Sequence, residues 1–197
     1  MTKAVLFDLD GIVMIGREIY FSHRYSQEHG IPQSEVNEFF MGTFKNCTFG
    51  TCDLKEEIAP YLPRWNWKQS VEEFMEYWFK TESTTDPAVL AHIDMLRGKG
   101  IKCYIATRQE KYRMKYLHDD IGLKHHFDGT FCTCDIGYDK SQPEFWKHVL
   151  TALALPPEEI MFFDDKQVNV DAARAAGIEA YFYDSIAVLQ EKTASLY

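Results

Sequence analysis

Long hydrophobic runs are missing from this sequence. Of its 197 residues, 46% are hydrophobic, but the apolar stretch near the start, residues 4–7, ends at Asp8. A membrane span needs about 20 apolar residues and a secretory signal needs an apolar segment of about 7 to 15. We therefore expect neither a membrane partner nor a secretory leader.

Positive charge and paired cysteines are also scarce. Acidic residues outnumber lysine and arginine by 30 to 21, and the formal net charge of −9 argues against a nucleic-acid partner. The five cysteines include no CxxC pair, which is typical of free thiols in a reducing compartment. We expect a cytoplasmic protein, a monomer or weak homodimer, whose partner is a small molecule.

Short apolar runs and amphipathic helical patterns make up most of the chain. Apolar runs end in polar residues at 4–10, 101–108, 129–135, 159–165 and 179–185, and helical patterns cover 86–100, 109–120, 141–155 and 166–177. Strands that alternate with helices predict βαβ units and a parallel sheet. The expected fold class is α/β, a Rossmann-like three-layer core with five or six parallel strands flanked by helices.

Residues 16–84 interrupt this alternation. They contain four amphipathic segments rich in aromatic side chains, at 17–30, 32–42, 53–62 and 70–80. We predict a small all-helical cap at 16–84, inserted after the first strand, and an α/β core formed by residues 1–15 and 85–197. The cap cations available to contact a substrate are Arg17, His23, Arg24 and Lys45, although such residues usually lie on the surface.

Polar side chains follow the predicted strands where each strand ends. These residues are Asp8 and Asp10, Thr107 and Arg108, Asp164 and Asp165, with Lys140 in the loop after the third strand. In open α/β sheets the ligand crevice lies outside the carboxyl ends of the strands, so these groups should converge. Four carboxylates in one crevice need a cation, and oxygen ligands of this kind suit Mg²⁺ together with substrate phosphate oxygens.

Four ordered motifs carry a resemblance to a known family. "FDLDG" at 7–11, "YIATR" at 104–108, "GYDKSQPEFW" at 137–146 and "FFDDKQVNVDAARAAGI" at 162–178 resemble the motifs of the haloacid dehalogenase superfamily. The helical insertion resembles the small cap of that superfamily. Together with "FGTCDLKEEI" at 49–58, the last motif is most similar to the branch that contains sugar-phosphate phosphatases and epoxide-hydrolase N-terminal phosphatase domains.

The resemblance implies catalytic roles for four residues. Asp8 matches the nucleophile that forms an aspartyl-phosphate, and Asp10 matches the general acid and base. Thr107 and Lys140 match the groups that hold the transferring phosphoryl. Arg108 stands where an asparagine is common and adds a cation facing the cap.

The resemblance also implies a magnesium site. Asp165 matches the main metal-ligating acid, with Asp164 beside it. Asp8 would bind the metal through its side chain and Asp10 through its backbone carbonyl. Asn169 matches a position that supports these ligands from behind.

The resulting expectation is Mg²⁺-dependent hydrolysis of a small phosphomonoester, either a sugar phosphate or a nucleotide-like metabolite. A phosphosugar mutase of the same superfamily would share every residue named above. A non-enzymatic binding or regulatory protein is a further alternative, which the complete residue set disfavours. A metal-free dehalogenase is disfavoured by Asp10, because those enzymes lack the second acid of the first motif.

One cysteine group raises a different possibility. Cys132 and Cys134 are predicted on one strand face, with His125 and His126 upstream, which suggests a soft-metal site. Their spacing does not match the usual zinc patterns, and free cysteine is commonly a small buried hydrophobic residue. We therefore favour a packing role for these two cysteines.

Overall fold

The computed structural model describes residues 1–16 and 19–196. The strands are β1 (Ala4–Phe7), β2 (Met14–Ile15), β3 (Thr84–Thr85), β4 (Lys102–Thr107), β5 (Gly129–Cys132), β6 (Ile160–Asp164) and β7 (Glu179–Phe182). The helices are α1 (Phe21–His29), α2 (Gln33–Glu38), α3 (Phe44–Thr48), α4 (Leu54–Ile58), α5 (Val71–Thr81), α6 (Pro87–Gly98), α7 (Lys111–Asp119), α8 (Thr133–Ile136), α9 (Pro143–Leu153), α10 (Gln167–Ala175) and α11 (Ile186–Thr193). Within these ranges, no helix is both long and apolar enough to cross a bilayer.

Five strands form the predicted parallel sheet, in the order β5-β4-β1-β6-β7. The central strand β1 pairs with β4 on one side and with β6 on the other. The carboxyl ends of β1, β4 and β6 therefore lie side by side at one edge. The α/β fold class expected from the sequence is confirmed.

Both faces of the sheet are buried, which explains why the strands are continuously apolar. Val5 and Phe7 pack with α6, α7 and α11 on one face. Ala4 and Leu6 pack with α9 and α10 on the other. Successive side chains of a strand point to opposite faces, so a strand covered on both sides needs apolar residues at every position.

Helix boundaries follow local capping chemistry. The Asp86 side chain accepts hydrogen bonds from the backbone N–H groups of Ala88 and Val89, and Pro87 occupies the first helical position of α6. Ser70 and Glu73 form a reciprocal capping box at the start of α5. These side chains satisfy backbone donors that have no partner within the helix.

The helices between β2 and β3, α1 to α5, form a body that we call the cap. Their aromatic side chains build a separate hydrophobic cluster, which Tyr112 and Tyr116 of α7 also contact. β2 and β3 pair as an antiparallel ribbon, with Met14 opposite Thr85, so the chain enters and leaves the cap at adjacent points. The sequence did not predict this ribbon, because two residues per strand are too few to show a periodicity.

Two predicted elements differ in detail. The segment 32–42 is not one helix: α2 ends at Glu38 and a π-helical turn, Phe39–Thr43, follows with a kink at Gly42. The prediction that Cys132 and Cys134 share a strand face was wrong, because β5 ends at Cys132 and α8 begins at Thr133.

Candidate active site

The groups singled out at the strand ends meet at the carboxyl edge of the sheet. Asp8 follows β1, Thr107 ends β4, and Asp164 ends β6. Lys140 reaches the same place from the loop between α8 and α9. Parallel strands with a common direction bring together residues that are more than 150 positions apart in the sequence.

A buried lysine links two carboxylates at the centre of this site. The Lys140 Nζ atom lies 2.7 Å from Asp8 Oδ1 and 2.6 Å from Asp164 Oδ2. The Asp8 Oδ1 atom also accepts a hydrogen bond of 2.7 Å from the backbone N–H of Leu9. All three charged side chains are buried, so each depends on the others for compensation.

Burial and charge act in opposite directions on these groups. Burial raises the pKa of Asp8 to about 7, against the lowering effect of Lys140, while the nearby Asp164 raises it further. Burial lowers the pKa of Lys140, but the two carboxylates more than offset this and leave the pKa raised. The lysine therefore stays protonated, and the Asp8 carboxyl lies near its ionisation point at neutral pH.

A third carboxylate completes a group that could hold a metal ion. Asp8, Asp164 and Asp165 each offer an oxygen, and these atoms lie within 4.8 Å of one another. The Asp165 Oδ1 atom is buried without a hydrogen-bond partner in the described part of the chain. Burial, opposed by Lys166, raises the pKa of Asp165. One lysine among three carboxylates leaves negative charge uncompensated, and oxygen donors of this kind fit Mg²⁺.

Gly11 leaves room for Asp165. Its φ angle is +90°, and a Cβ atom at this position would stand 2.5 Å from Asp165 Oδ2. A side chain would therefore both strain the backbone and displace the carboxylate. The glycine of the first motif is needed at this close approach.

The Asp10 side chain points away from the three-carboxylate group. Its Oδ2 atom accepts a 2.6 Å hydrogen bond from Gln109 Nε2, and its Oδ1 atom lies 3.8 Å from Arg113 Nη2. Arg113 is 2% exposed and also donates to the backbone carbonyl of Glu82. Asp10 is thus oriented by an amide and a buried guanidinium.

Thr107 and Asn169 surround the same centre. The Thr107 Oγ1 atom is buried and has no hydrogen-bond partner among the residues described. Asn169 Nδ2 donates to both oxygens of Asp164 at 3.0 Å, and the Lys166 backbone N–H donates to Asp164 Oδ1. Asp164 is therefore held by three neighbours, whereas Asp165 is not.

Arg108 connects the core to the cap. Its Nε atom lies 3.2 Å from Thr48 Oγ1, and its guanidinium lies 5.1 Å from the centre of the Phe49 ring. Nη1 also lies 3.3 Å from Asp139 Oδ2. The structure places this side chain at the cap, where the sequence expectation put it.

Two cavities open onto these residues. The core crevice, about 640 Å³, is lined by Asp8, Lys140 and Asn169. The cap cavity, about 710 Å³, lies between α1–α5 and the core, and Asp10, Arg108 and Lys166 line both spaces. Of the cap cations, His23 and Lys45 line the cap cavity and Arg24 does not, while Arg17 lies outside the described residues.

The cysteine group is separate from this centre. The Sγ atoms of Cys132 and Cys134 lie 2.9 Å apart, and Asp135 is close enough for the three side chains to bind one metal ion. His126 instead contacts Asp94, and the His125 backbone carbonyl accepts from Arg97. The two histidines therefore do not join the cysteines.

Sequence reasoning missed Gln109 and Arg113. Gln109 follows Arg108 directly, so its position just beyond a strand end was a usable signal. Arg113 lies in a helical pattern that is polar at most positions, and arginine is usually exposed. Its burial depends on Asp10 and Glu82, which the sequence does not place next to it.

Comparison with known proteins identifies the family of this chain and agrees with its fold. A family model described as haloacid dehalogenase-like hydrolase matches residues 2–177. The chain is similar to a phosphorylated carbohydrates phosphatase of Thermotoga maritima, at 27% identity over 91% of this chain and 84% of the relative. It is also similar to the GMP/IMP nucleotidase YrfG of Escherichia coli, at 28% identity over 88% and 79% of the two chains.

A solved structure shares the whole architecture. A haloacid dehalogenase family enzyme of Bacteroides thetaiotaomicron superposes with a TM-score of 0.80 at 17% identity, covering 95% of this chain and 98% of the other. The same enzyme in complex with magnesium and inorganic phosphate gives a TM-score of 0.77 at 18% identity, covering 92% and 94%. At this identity the likeness concerns the fold.

Proposed function

The chain belongs to the haloacid dehalogenase-like hydrolase family, and from this premise we propose that it is a Mg²⁺-dependent phosphatase of a small phosphomonoester. The observation that carries the proposal is the group of three carboxylates, Asp8, Asp164 and Asp165, around one buried lysine. Such a group repels an anionic phosphate unless a divalent cation is bound. Relatives named as phosphatases add support.

We assign the chemical steps to Asp8 and Asp10. An oxygen of Asp8 attacks phosphorus, the bond to the leaving oxygen breaks, and Asp10 gives that oxygen a proton. Asp10 then takes a proton from water, the water oxygen attacks phosphorus, and the bond to Asp8 breaks to release phosphate. The hydrogen bond from Gln109 orients Asp10 for both proton transfers.

Lys140, Thr107 and Mg²⁺ would stabilise the charge of the transferring group. The Asp8 and Asp165 side chains, with Asp164 beside them and the backbone carbonyl of Asp10, would hold the ion. When bound, Mg²⁺ supplies positive charge next to the phosphoryl oxygens. The unpartnered Thr107 Oγ1 would donate to a phosphoryl oxygen, and Lys140 would lower the pKa of Asp8 and so favour its ionised form.

The test is phosphate release from a broad panel of phosphorylated metabolites, with Mg²⁺ and with a chelator. We expect release that needs the metal and that disappears in Asp8→Asn, whereas the control Asp171→Asn, an exposed acid on α10, keeps it. Conversion of a sugar phosphate to its isomer without release would instead indicate the mutase. No turnover of any compound would contradict the proposal and leave the binding-protein alternative.

For the setting of this activity we propose a reducing cytoplasm, a monomer or weak homodimer, and no nucleic-acid partner. The free state of all five cysteines supports the reducing compartment, and the net charge of −9 argues against a nucleic-acid partner. Size-exclusion chromatography coupled to light scattering tests the oligomeric state.

A further inference from the structure

The cap cavity determines what the leaving alcohol must contact. Asp10, the proposed proton donor, lines this cavity, whereas Asp8 and Lys140 line the core crevice. A phosphoryl group on Asp8 therefore places the ester oxygen near Asp10 and directs the rest of the substrate toward the cap. The residues that line the cap cavity therefore indicate the chemistry of the substrate that it binds.

One wall of the cap cavity is aromatic. Phe40, Phe44 and Trp78 line it, with ring centroids 4.9 Å apart for Phe40 and Trp78 and 5.2 Å apart for Phe44 and Trp78. The rings brace one another edge to face and offer an apolar surface to a ligand.

The mouth of the cap cavity is apolar as well. Eight large hydrophobic side chains are exposed in the described part of the chain, and Ile15, Tyr20 and Met41 among them line this cavity, at 38%, 70% and 63% exposure. Scattered apolar side chains on a surface need no explanation, but a group around a concave opening marks a binding surface for an apolar ligand.

Several polar lining residues are engaged with one another, and Ser22, Lys45 and Lys166 line the cavity as well. Gln33 bonds to His23 at 3.0 Å and to Asn37 at 2.8 Å. Glu82 accepts from the backbone N–H of Phe21 and from Trp78 Nε1. Sugar hydroxyl groups that face these paired residues or the aromatic wall would break existing hydrogen bonds or stay unpaired, at a cost in binding.

We propose that the substrate is the phosphate monoester of an alcohol with a nonpolar body, alkyl or aryl, in preference to a sugar phosphate. This inference rests on the proposed phosphatase activity and names its substrate class. The phosphate would bind at the carboxylate group, and the nonpolar body would lie against the aromatic wall, with its far end between Ile15 and Met41.

The test compares esters whose leaving groups are chemically matched. Ethyl, butyl and hexyl phosphate are all esters of primary alcohols, so their intrinsic reactivities are similar and differences in kcat/KM report contacts with the cavity. We expect kcat/KM to rise about fourfold for each buried methylene group, which corresponds to about 0.8 kcal/mol. Glucose 6-phosphate should be a poorer substrate than hexyl phosphate.

Substitutions at the cavity locate the effect. Met41→Ser and Phe44→Ser should lower kcat/KM for hexyl phosphate several-fold more than they lower kcat/KM for ethyl phosphate. Phe182→Ser, an exposed apolar side chain on β7 that does not line the cap cavity, is the matched control and should change neither. Ethyl phosphate turnover also reports whether each variant is folded, and Met41 is exposed enough to be replaced without disturbing the cap.

The outcomes separate this inference from the proposed function. Equal kcat/KM for ethyl and hexyl phosphate, or faster turnover of glucose 6-phosphate, would overturn the substrate class while the phosphatase activity stands. Release of phosphate from no ester at all would overturn the proposed function itself.

Discussion

Replacing Glu110 by glutamine should stabilise this protein at neutral pH. Glu110 is 1% exposed and caps α7, because its Oε2 atom accepts from the backbone N–H groups of Tyr112 and Arg113. Its Oε1 atom is buried without a hydrogen-bond partner among the residues described. Burial raises the pKa of this carboxyl from 4.5 to about 7, against the lowering effect of the two backbone donors.

The sign and size of the effect follow from proton linkage. Between pH 4.5 and about 7 the folded protein holds a proton that the unfolded chain has lost, so the free energy of unfolding falls as pH rises through this window. A rise from 4.5 to about 7 corresponds to roughly 3 kcal/mol, at about 1.4 kcal/mol per pKa unit. Glutamine keeps a side-chain acceptor for the N-terminus of α7 and cannot ionise. Glu110→Gln should therefore recover most of this free energy above pH 7.

Urea denaturation of both proteins from pH 4 to pH 8 measures the difference. The stability gain of Glu110→Gln should be small at pH 4 and grow to about 2–3 kcal/mol by pH 8. Asp53 is a matched control with the opposite sign. It caps α4, and hydrogen bonds, foremost from Lys111, lower its pKa to about 2. The ionised Asp53 carboxylate stabilises the fold above pH 3.8, and this stabilisation is lost toward pH 2. Asp53→Asn should therefore destabilise the protein at neutral pH. A gain for Glu110→Gln that is independent of pH would refute the reasoning.

Three other predictions follow from the site. Gly11→Ala should weaken Mg²⁺ activation in a metal titration, because the added Cβ displaces Asp165. The control is Gly100→Ala, where φ is a similar +88° and no atom lies near the added Cβ; it should lower only the stability, measured in a thermal melt. Gln109→Ala should lower kcat by about 10- to 100-fold for alkyl phosphates and much less for aryl phosphates, whose leaving groups need little proton donation; equal losses would contradict the role of Gln109 in orienting Asp10. Mg²⁺ at 100 times its Kd should add about 2.7 kcal/mol to the free energy of unfolding, measured as a rise in Tm. Asp165→Asn should abolish this rise in Tm; the same rise in the variant would place the ion elsewhere.

The sheet could be predicted from the sequence because its signals are local. A strand buried on both faces, such as β6, has an unbroken run of apolar residues that ends at an aspartate. The helices of the cap also depend on local sequence, as the capping box of Ser70 and Glu73 at the start of α5 illustrates. The kink at Gly42 was not visible, because residues 32–42 keep a continuous amphipathic pattern across it.

The candidate site was predictable only in part. Motif positions indicated Asp8, Lys140 and Asp165, and the structure brings them together. The orientation of Asp10 was not predictable, because it depends on Gln109 and on the buried Arg113, a residue type that is ordinarily solvent-exposed. The character of the cap cavity also required three dimensions, since its aromatic wall combines α5 with residues near the kink after α2.

The paired ribbon β2–β3 has a consequence for how such proteins diversify. The chain departs at Met14 and returns at Thr85 directly opposite, so the ends of the excursion are only about 5 Å apart. A tight turn could close that gap without rerouting any strand of the sheet. A single splice at this ribbon could therefore exchange most of the cap-cavity lining while every strand of the sheet stays in place, provided that the new segment again supplies the contact that Glu82 makes with Arg113.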